Sequence, residues 1–434
     1  MHLNLAKYKY NDVLKWDVLS YYSYLPATFI DKDLTLKFVT LQNNTKEEGI
    51  KYWYQEDAQG NRILKYSMGM SVMYAPFFFM AHALATPFGY SADGFSDVYE
   101  FFIEFSGLFY LLFGLFFLRK ILLKFYTEQI TAVTLVLIFF GTNVLYYSTA
   151  ESAMSHTYTF SLFSVFLYYL FSFYEKVSIK SVVILALCFG LIILIRPLNI
   201  LLILPFLFFN INNWKEIRSR LAFIIDHYKY MLLFSVIIAL VVAPQFLYYK
   251  YVTGQYLVFS YGKEGFYFDH FHVLDVLFSF RKGWLIYTPI MLFALIGFWY
   301  MKIQTIRVFI MPLLILFPIY LYVVSSWWCW WYGGSFSQRS LIDIYPLLAI
   351  PLAAFLYKLQ GFGKTKKVML SLGIVFLLVL NIFQTIQYKY NIIDYDGMTS
   401  KEYIHVFGTL DDKKIDATLL NKPDYEKAIR GLDE

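Results

Sequence analysis

Apolar runs long enough to cross a bilayer dominate the pattern of this chain. A span needs roughly 17–25 mostly apolar residues. Such runs cover Glu100–Leu122, Ile130–Thr149, His156–Tyr174, Tyr230–Tyr249, Trp284–Tyr300, Val308–Ser325, Leu341–Tyr357 and Val368–Gln387. Ser181–Asn210 is too long for one upright helix and carries Arg196-Pro197 in its middle. Proline removes a backbone donor, so this stretch reads as two short helices turning at one membrane face. Tyr66–Phe88 is also apolar, but Pro76, His82 and Pro87 interrupt it. It reads as a juxtamembrane or re-entrant pair, not a crossing.

Short basic clusters separate the runs: Arg119, Lys120 and Lys124; Lys176 and Lys180; Lys215, Arg218 and Arg220; Lys302 and Arg307; and Lys358, Lys364, Lys366 and Lys367. Cytoplasmic loops carry the Lys/Arg excess. With all five clusters cytoplasmic, the runs alternate only if Ser181–Asn210 is a hairpin, which gives ten spans. The expected fold is therefore an all-α polytopic membrane protein with juxtamembrane helices in its first external loop. Residues 1–97 form an external N-terminal segment, 98–387 a multi-helix transmembrane domain, and 388–434 a short polar external tail. Nine Lys/Arg against eight Asp/Glu in Met1–Lys65 leave that segment's charge neutral on the question of sidedness.

Composition supports the membrane assignment. Hydrophobic residues make up 59% and charged residues 16%, against roughly 25% charged in ordinary globular domains, which excludes a water-soluble chain. The net charge of +6 resides in clusters between apolar runs, so no nucleic-acid face is expected. Cys188 sits in an apolar run and Cys329 in a loop. A bridge needs Cα atoms within roughly 7 Å, and none is expected. Met1–Lys15 lacks the apolar stretch of a signal or first anchor.

Candidate chemistry collects in the outward loops. Asp17 lies in Trp16-Asp17-Val18-Leu19-Ser20-Tyr21-Tyr22, where partial desolvation strengthens a carboxylate as a base and where capping a short helix is the plainer role. Lys65 meets the apolar segment, as a phosphate ligand or as a snorkelling side chain. Glu151 and His156 sit at the mouth of two helices. Two such residues are too few for a metal site, so they read as substrate-positioning groups or as a capping pair. Arg196 is an ionisable residue at membrane level, either functional or satisfying carbonyls freed by the proline. Arg281 and Lys282 open a helix on the outer side, against the usual charge preference, and phosphate binding would explain that placement. Trp327-Trp328-Cys329-Trp330-Trp331-Tyr332-Gly333-Gly334 leads to Arg339. Trp328, Trp330 and Trp331 read as an interfacial belt or as the aromatic wall of a cavity for a sugar or isoprenoid, with Arg339 reaching a phosphate. No glycine-rich phosphate loop, Walker sequence or dinucleotide fingerprint occurs. An outward-facing transferase would instead draw an activated donor from the membrane, and a polyprenyl-phosphate sugar is one.

In order along the chain, WDVLSYYSYLPA from Trp16, KYSMGMSVMYAPFF from Lys65, ESAMSHTYTF from Glu151, IRPLN from Ile195, LFSFRKGWLIYTP from Leu277 and WWYGGSFSQRS from Trp330 resemble bacterial GT-C superfamily glycosyltransferases. That group includes protein O-mannosyltransferases and the lipid A aminoarabinose transferase. The resemblance covers Trp16 to about Tyr357. It implies a helical membrane domain in the bacterial inner membrane with its site facing the periplasm. It also implies inverting sugar transfer from a polyprenyl-phosphate donor to a hydroxyl on a glycan, lipid or protein acceptor. The family's acidic base maps onto Asp17. The basic residues that hold the lipid phosphate map onto Lys65 and Arg339, and next onto Arg281 and Lys282. No cofactor is implied; a divalent ion at the phosphate is compatible, but no spacing supports one. The family places a membrane helix before the acidic loop and this sequence has none, so an upstream start or a lost first helix is expected. Two other classes fit the same pattern: a transporter or flippase of lipid-linked sugars, and a non-catalytic scaffold subunit of the same fold.

Overall fold

A computed structural model describes residues 13–40, 51–301 and 306–432. The first twelve residues and Lys302, both used above, lie outside the described residues. The chain is mostly helical. Five described helices are long and apolar enough to cross a membrane: Asp97–Leu122, Tyr228–Thr253, Arg307–Ser325, Arg339–Gln360 and Lys364–Lys389. Shorter apolar helices run between them, including Glu128–Phe140 and Ile179–Ile195.

Two runs are interrupted where the sequence reads as continuous. Ile130–Thr149 divides into Glu128–Phe140 and Val144–Thr149. The break is held by Asn143, whose amide oxygen accepts from the Tyr345 hydroxyl at 2.8 Å and whose amide nitrogen donates to the Phe336 carbonyl at 3.3 Å. Trp284–Tyr300 divides at Thr288-Pro289 into Trp284–Tyr287, Met291–Gly297 and a closing 3-10 turn. In Ser181–Asn210, Ile179–Ile195 ends at Arg196 and Pro197 opens a 3-10 helix to Ile203, followed by Leu204–Phe208. Arg196 lies beside His156, at the start of the helix Ser155–Glu175. Phe206 accepts on its carbonyl from Tyr174 at the other end of that helix, at 2.7 Å. The stretch therefore goes out and comes back as a hairpin.

The segment Tyr66–Phe88 holds one helix, Gly69–Ala85, and a 3-10 turn, where a pair was expected. Pro76 sits inside that helix without ending it. The helix runs along only part of Asp97–Leu122: the Tyr110 hydroxyl bonds the Met73 carbonyl at 3.1 Å, and His82 meets Tyr99 at 2.6 Å. A further correction to the all-helical reading is a small antiparallel sheet, Tyr54–Glu56 paired with Arg62–Leu64. Its strands are too short to leave a period-2 signal. The turn between them is held by Asp57, which accepts from the Gln59 and Asn61 amides at 2.9 and 2.8 Å, an Asx-type closure.

The two ends of the helix assembly differ in chemistry. At one end Lys124 pairs with Glu175 at 3.3 Å, Arg119 with Glu128 at 2.8 Å, and Arg220 lies over the Tyr174 ring. Phe309 touches both Phe125 and Phe209, and Tyr126 touches Tyr357. Basic residues from all five clusters thus gather at one end. The N-terminal helices, the tryptophan loop and the tail occupy the other. The tail is ordered against the loop that precedes Trp284: Tyr267 donates to the Ile429 carbonyl at 2.6 Å, and Arg281 to the Asn421 carbonyl at 3.1 Å.

Candidate functional site

A cavity of about 750 Å³ opens at the end opposite the basic clusters. Its walls come from chain segments far apart in sequence. The helix Trp16–Tyr22 brings Asp17, residues following the small sheet bring Lys65 and Tyr66, and the loop after Val144–Thr149 brings Glu151. Glu264 comes from the long loop, Trp328 and Arg339 from the tryptophan segment, and Tyr388 from the last turn of the helix Lys364–Lys389.

Asp17 lies in the first turn of its helix, whose N-cap position is Lys15. The two Asp17 carboxylate oxygens are engaged by distant groups: Oδ1 accepts from the Tyr66 hydroxyl at 2.8 Å, and Oδ2 pairs with Arg339 at 3.2 Å. Burial, with the Asp17 charge beside it, pushes the Tyr66 hydroxyl well above its ordinary range, so it remains a donor. Left-handed backbone flanks the pair on both sides. Trp16 has φ 49°, and Tyr332 and Ser337 have φ 58° and 56°. Such conformations are rare for non-glycine residues and persist where the surrounding structure holds them.

Lys65 pairs with Glu264 at 2.5 Å and lies between the rings of Tyr66 and Tyr261. Glu151 accepts from the Tyr146 hydroxyl at 3.2 Å. Burial raises its carboxyl, and the Arg339 charge opposes that rise. The Glu151 loop rests on the first long helix. Ser152 donates to the Glu104 carbonyl at 3.0 Å, and a Cβ added at Gly107 would stand 1.9 Å from the Ser152 carbonyl oxygen. Only glycine permits that approach.

The remaining residues flagged in the sequence lie elsewhere. His156 is buried below the cavity, its Nδ1 3.0 Å from Asp343. Asp343 also takes Arg196 at 3.1 Å, Asn199 at 2.8 Å and the Tyr320 hydroxyl at 3.3 Å. This network ties four helical segments together. Neither Arg281 nor Lys282 lines the cavity. Arg281 packs over Trp330 and Trp331. The Lys282 amine is buried and donates to the carbonyls of Ser335 and Tyr395. Burial pushes that ammonium down to about 7, with Asp396 opposing the shift. Trp328 lines the cavity. Trp330 instead stacks on His272 at 5.6 Å, and Trp331 is buried against Tyr425. Both cysteines are free and buried. Among the described residues no three His, Cys, Asp or Glu side chains come together as a metal site.

Sequence reasoning passed over Glu264, Tyr66, Asp343, Tyr388 and the tail residues Tyr395 and Tyr425. Glu264 comes from a loop 199 positions from Lys65, and no local pattern ties the two together. Asp343 lay inside an apolar run, where an acidic residue is itself a signal. No family model matches the chain, and a search of characterised proteins returns no significant relative.

Proposed function

We propose that this chain is a membrane glycosyltransferase of the GT-C kind, moving a sugar from a polyprenyl-phosphate donor to an acceptor hydroxyl on the outer face of a bacterial inner membrane. The observation that carries this reading is the convergence of Asp17, Arg339 and Lys65 on one large cavity with aromatic and tyrosine walls. A carboxylate held between a hydroxyl and a guanidinium is a positioned base. Cations on the same wall suit a phosphate leaving group. In the reaction, the acceptor O–H gives its proton to Asp17 as its oxygen bonds the anomeric carbon. The bond from that carbon to the phosphate oxygen breaks, and its electron pair leaves on the polyprenyl phosphate. Arg339 and Lys65 offset the charge that develops there. Lys65 becomes available when the donor phosphate displaces Glu264.

Ten crossings fit this reading. In this reading the five long helices are joined by the Arg196 hairpin, counted as two, the helix Ser155–Glu175 and the two broken helices, counted as one each, and the basic end is the cytoplasmic one by the positive-inside rule. Membrane lipids surround the helices, and the donor enters from them.

The test is turnover by purified protein in lipid nanodiscs with polyprenyl-phosphate hexoses, read by mass spectrometry of added acceptors, alongside envelope glycan profiles of wild type and Asp17→Asn cells at equal protein levels. Loss of one defined sugar in the variant supports the reading. Unchanged glycans and no turnover with any donor would remove it.

A further inference from the structure

The rim of the cavity holds a feature that the transfer chemistry leaves unused. Trp16, next to Asp17, lines the cavity yet is 69% exposed. Its backbone is left-handed, at φ 49°, a conformation that bulky L-residues avoid. The hydrophobic effect favours turning a large indole inward. Here a strained backbone holds it out. Behind it stands half-buried Trp53, edge-on, with ring centroids 5.8 Å apart and planes at 69°. Trp53 enters through the lead into the small sheet, so two separate segments were needed to assemble the pair.

The surrounding wall has no dominant charge. Arg339 is paired with Asp17 and Lys65 with Glu264, and of the other charged lining residues Lys15 and Lys389 balance Glu104 and Glu151. With Lys65 and Arg339 given to the donor phosphate, a strongly charged acceptor gains little from the balanced groups that remain. A neutral, hydroxyl-rich one finds donors and acceptors of both kinds, and its apolar C–H face finds an indole.

We propose that Trp16, backed by Trp53, is the platform for a pyranose ring of the acceptor, which is a neutral glycan. With the ring laid on Trp16, a hydroxyl of the same residue is presented to the carboxylate of the adjacent Asp17. The role given to Asp17 rests on the transferase reading; the platform itself does not.

The test uses full-length protein in nanodiscs and neutral disaccharides (maltose, cellobiose and mannobiose) as probes, with binding read by saturation-transfer NMR. We expect at least one disaccharide to bind. Trp16→Ala should weaken it at least ten-fold, and Trp16→Phe, which keeps an aromatic face, should stay within about three-fold. Trp53→Ala should weaken it less than Trp16→Ala. A parallel measurement compares emission of wild type and Trp16→Phe in brominated lipid. No disaccharide binding, or binding indifferent to Trp16→Ala, overturns the proposal. So does quenching of the Trp16 component by bromolipid, which would make it a membrane anchor, or displacement of the sugar by a serine-containing peptide at lower concentration, which would make the acceptor a protein. Asp17→Asn separates the two readings. If it abolishes transfer while Trp16→Ala changes nothing, the platform fails alone. If disaccharide binding depends on Trp16 while Asp17→Asn leaves glycans unchanged, the transferase reading fails alone.

Discussion

Asp17 and Arg339 stand 322 positions apart in the chain and meet at 3.2 Å on the cavity wall. Neither has its partner nearby in sequence, so the pair exists only once the N-terminal helices are seated against the tryptophan loop. The Tyr66 hydroxyl on the other carboxylate oxygen fixes the plane of Asp17. A carboxylate oriented on both oxygens loses little freedom when it takes up a proton.

Replacing Asp17 by Asn keeps the shape and both neighbours but removes the proton acceptor. The turnover rate should fall by about 10²–10⁴, the span typical of a lost general base, with donor affinity little changed. Single-turnover rates and donor titration in nanodiscs measure the two separately. A loss of donor affinity with an unchanged rate would move Asp17 from base to donor-site anchor.

Lys65 and Glu264 yield a second prediction. Their pair is mostly screened from water, with side chains 13% and 17% exposed. A donor phosphate must compete with Glu264 for the ammonium. Glu264→Gln removes the competing charge, and donor binding should tighten by about three- to ten-fold; Lys65→Ala should weaken it by at least ten-fold, since hydrogen bonds to charged groups contribute about 1.5–3 kcal/mol. Competition of a polyprenyl phosphate against a fluorescent analogue reads both. Equal behaviour of the two variants would mean that the pair only braces the loop.

Much of this architecture was visible in the residues. The apolar runs marked the long helices, and Arg196-Pro197 marked the hairpin turn, because a missing amide and a buried charge are local events that a sequence records. The basic clusters marked one end of the assembly. What could not be read were pairings set by tertiary packing. The Asn143 break depends on Tyr345 and Phe336, which lie about two hundred positions away. Similarly, the four tryptophans share one loop, yet its turns send Trp327 and Trp328 to the cavity and bury Trp331 against the tail. The tail looked merely polar, because the carbonyls that hold it are invisible in side-chain patterns.

The buried network around Asp343 predicts asymmetry between single and double variants. Asp343→Asn leaves Arg196 without its counter-charge, and removing one partner of a buried pair costs about 3–5 kcal/mol. Asp343→Leu combined with Arg196→Met removes both charges and should cost less than either single change. Thermal midpoints in a mild detergent, monitored by intrinsic fluorescence, would show the order. If the double variant is the least stable, the network contributes through its full set of hydrogen bonds and not through charge balance.

Lys282 predicts how stability changes with pH. Its amine is buried, and burial lowers it from 10.5 to about 7, so the folded form releases its proton well before the unfolded chain does. Between about pH 7 and 10.5 the unfolded state therefore holds the extra proton, and stability rises with pH, by up to about 1.4 kcal/mol per pH unit. Below about pH 7 both states are protonated and this contribution is flat. The two carbonyls that receive the amine, from Ser335 and Tyr395, need only two N–H donors, which a neutral amine supplies. Lys282→Met should abolish the rise in thermal midpoint between pH 7 and 9, with the same measurement on Lys401→Met as a control on an exposed lysine of the tail. If the wild-type midpoint is flat or falls across that window while the control behaves alike, Lys282 remains charged in the fold, and the nearby Asp396 outweighs its burial.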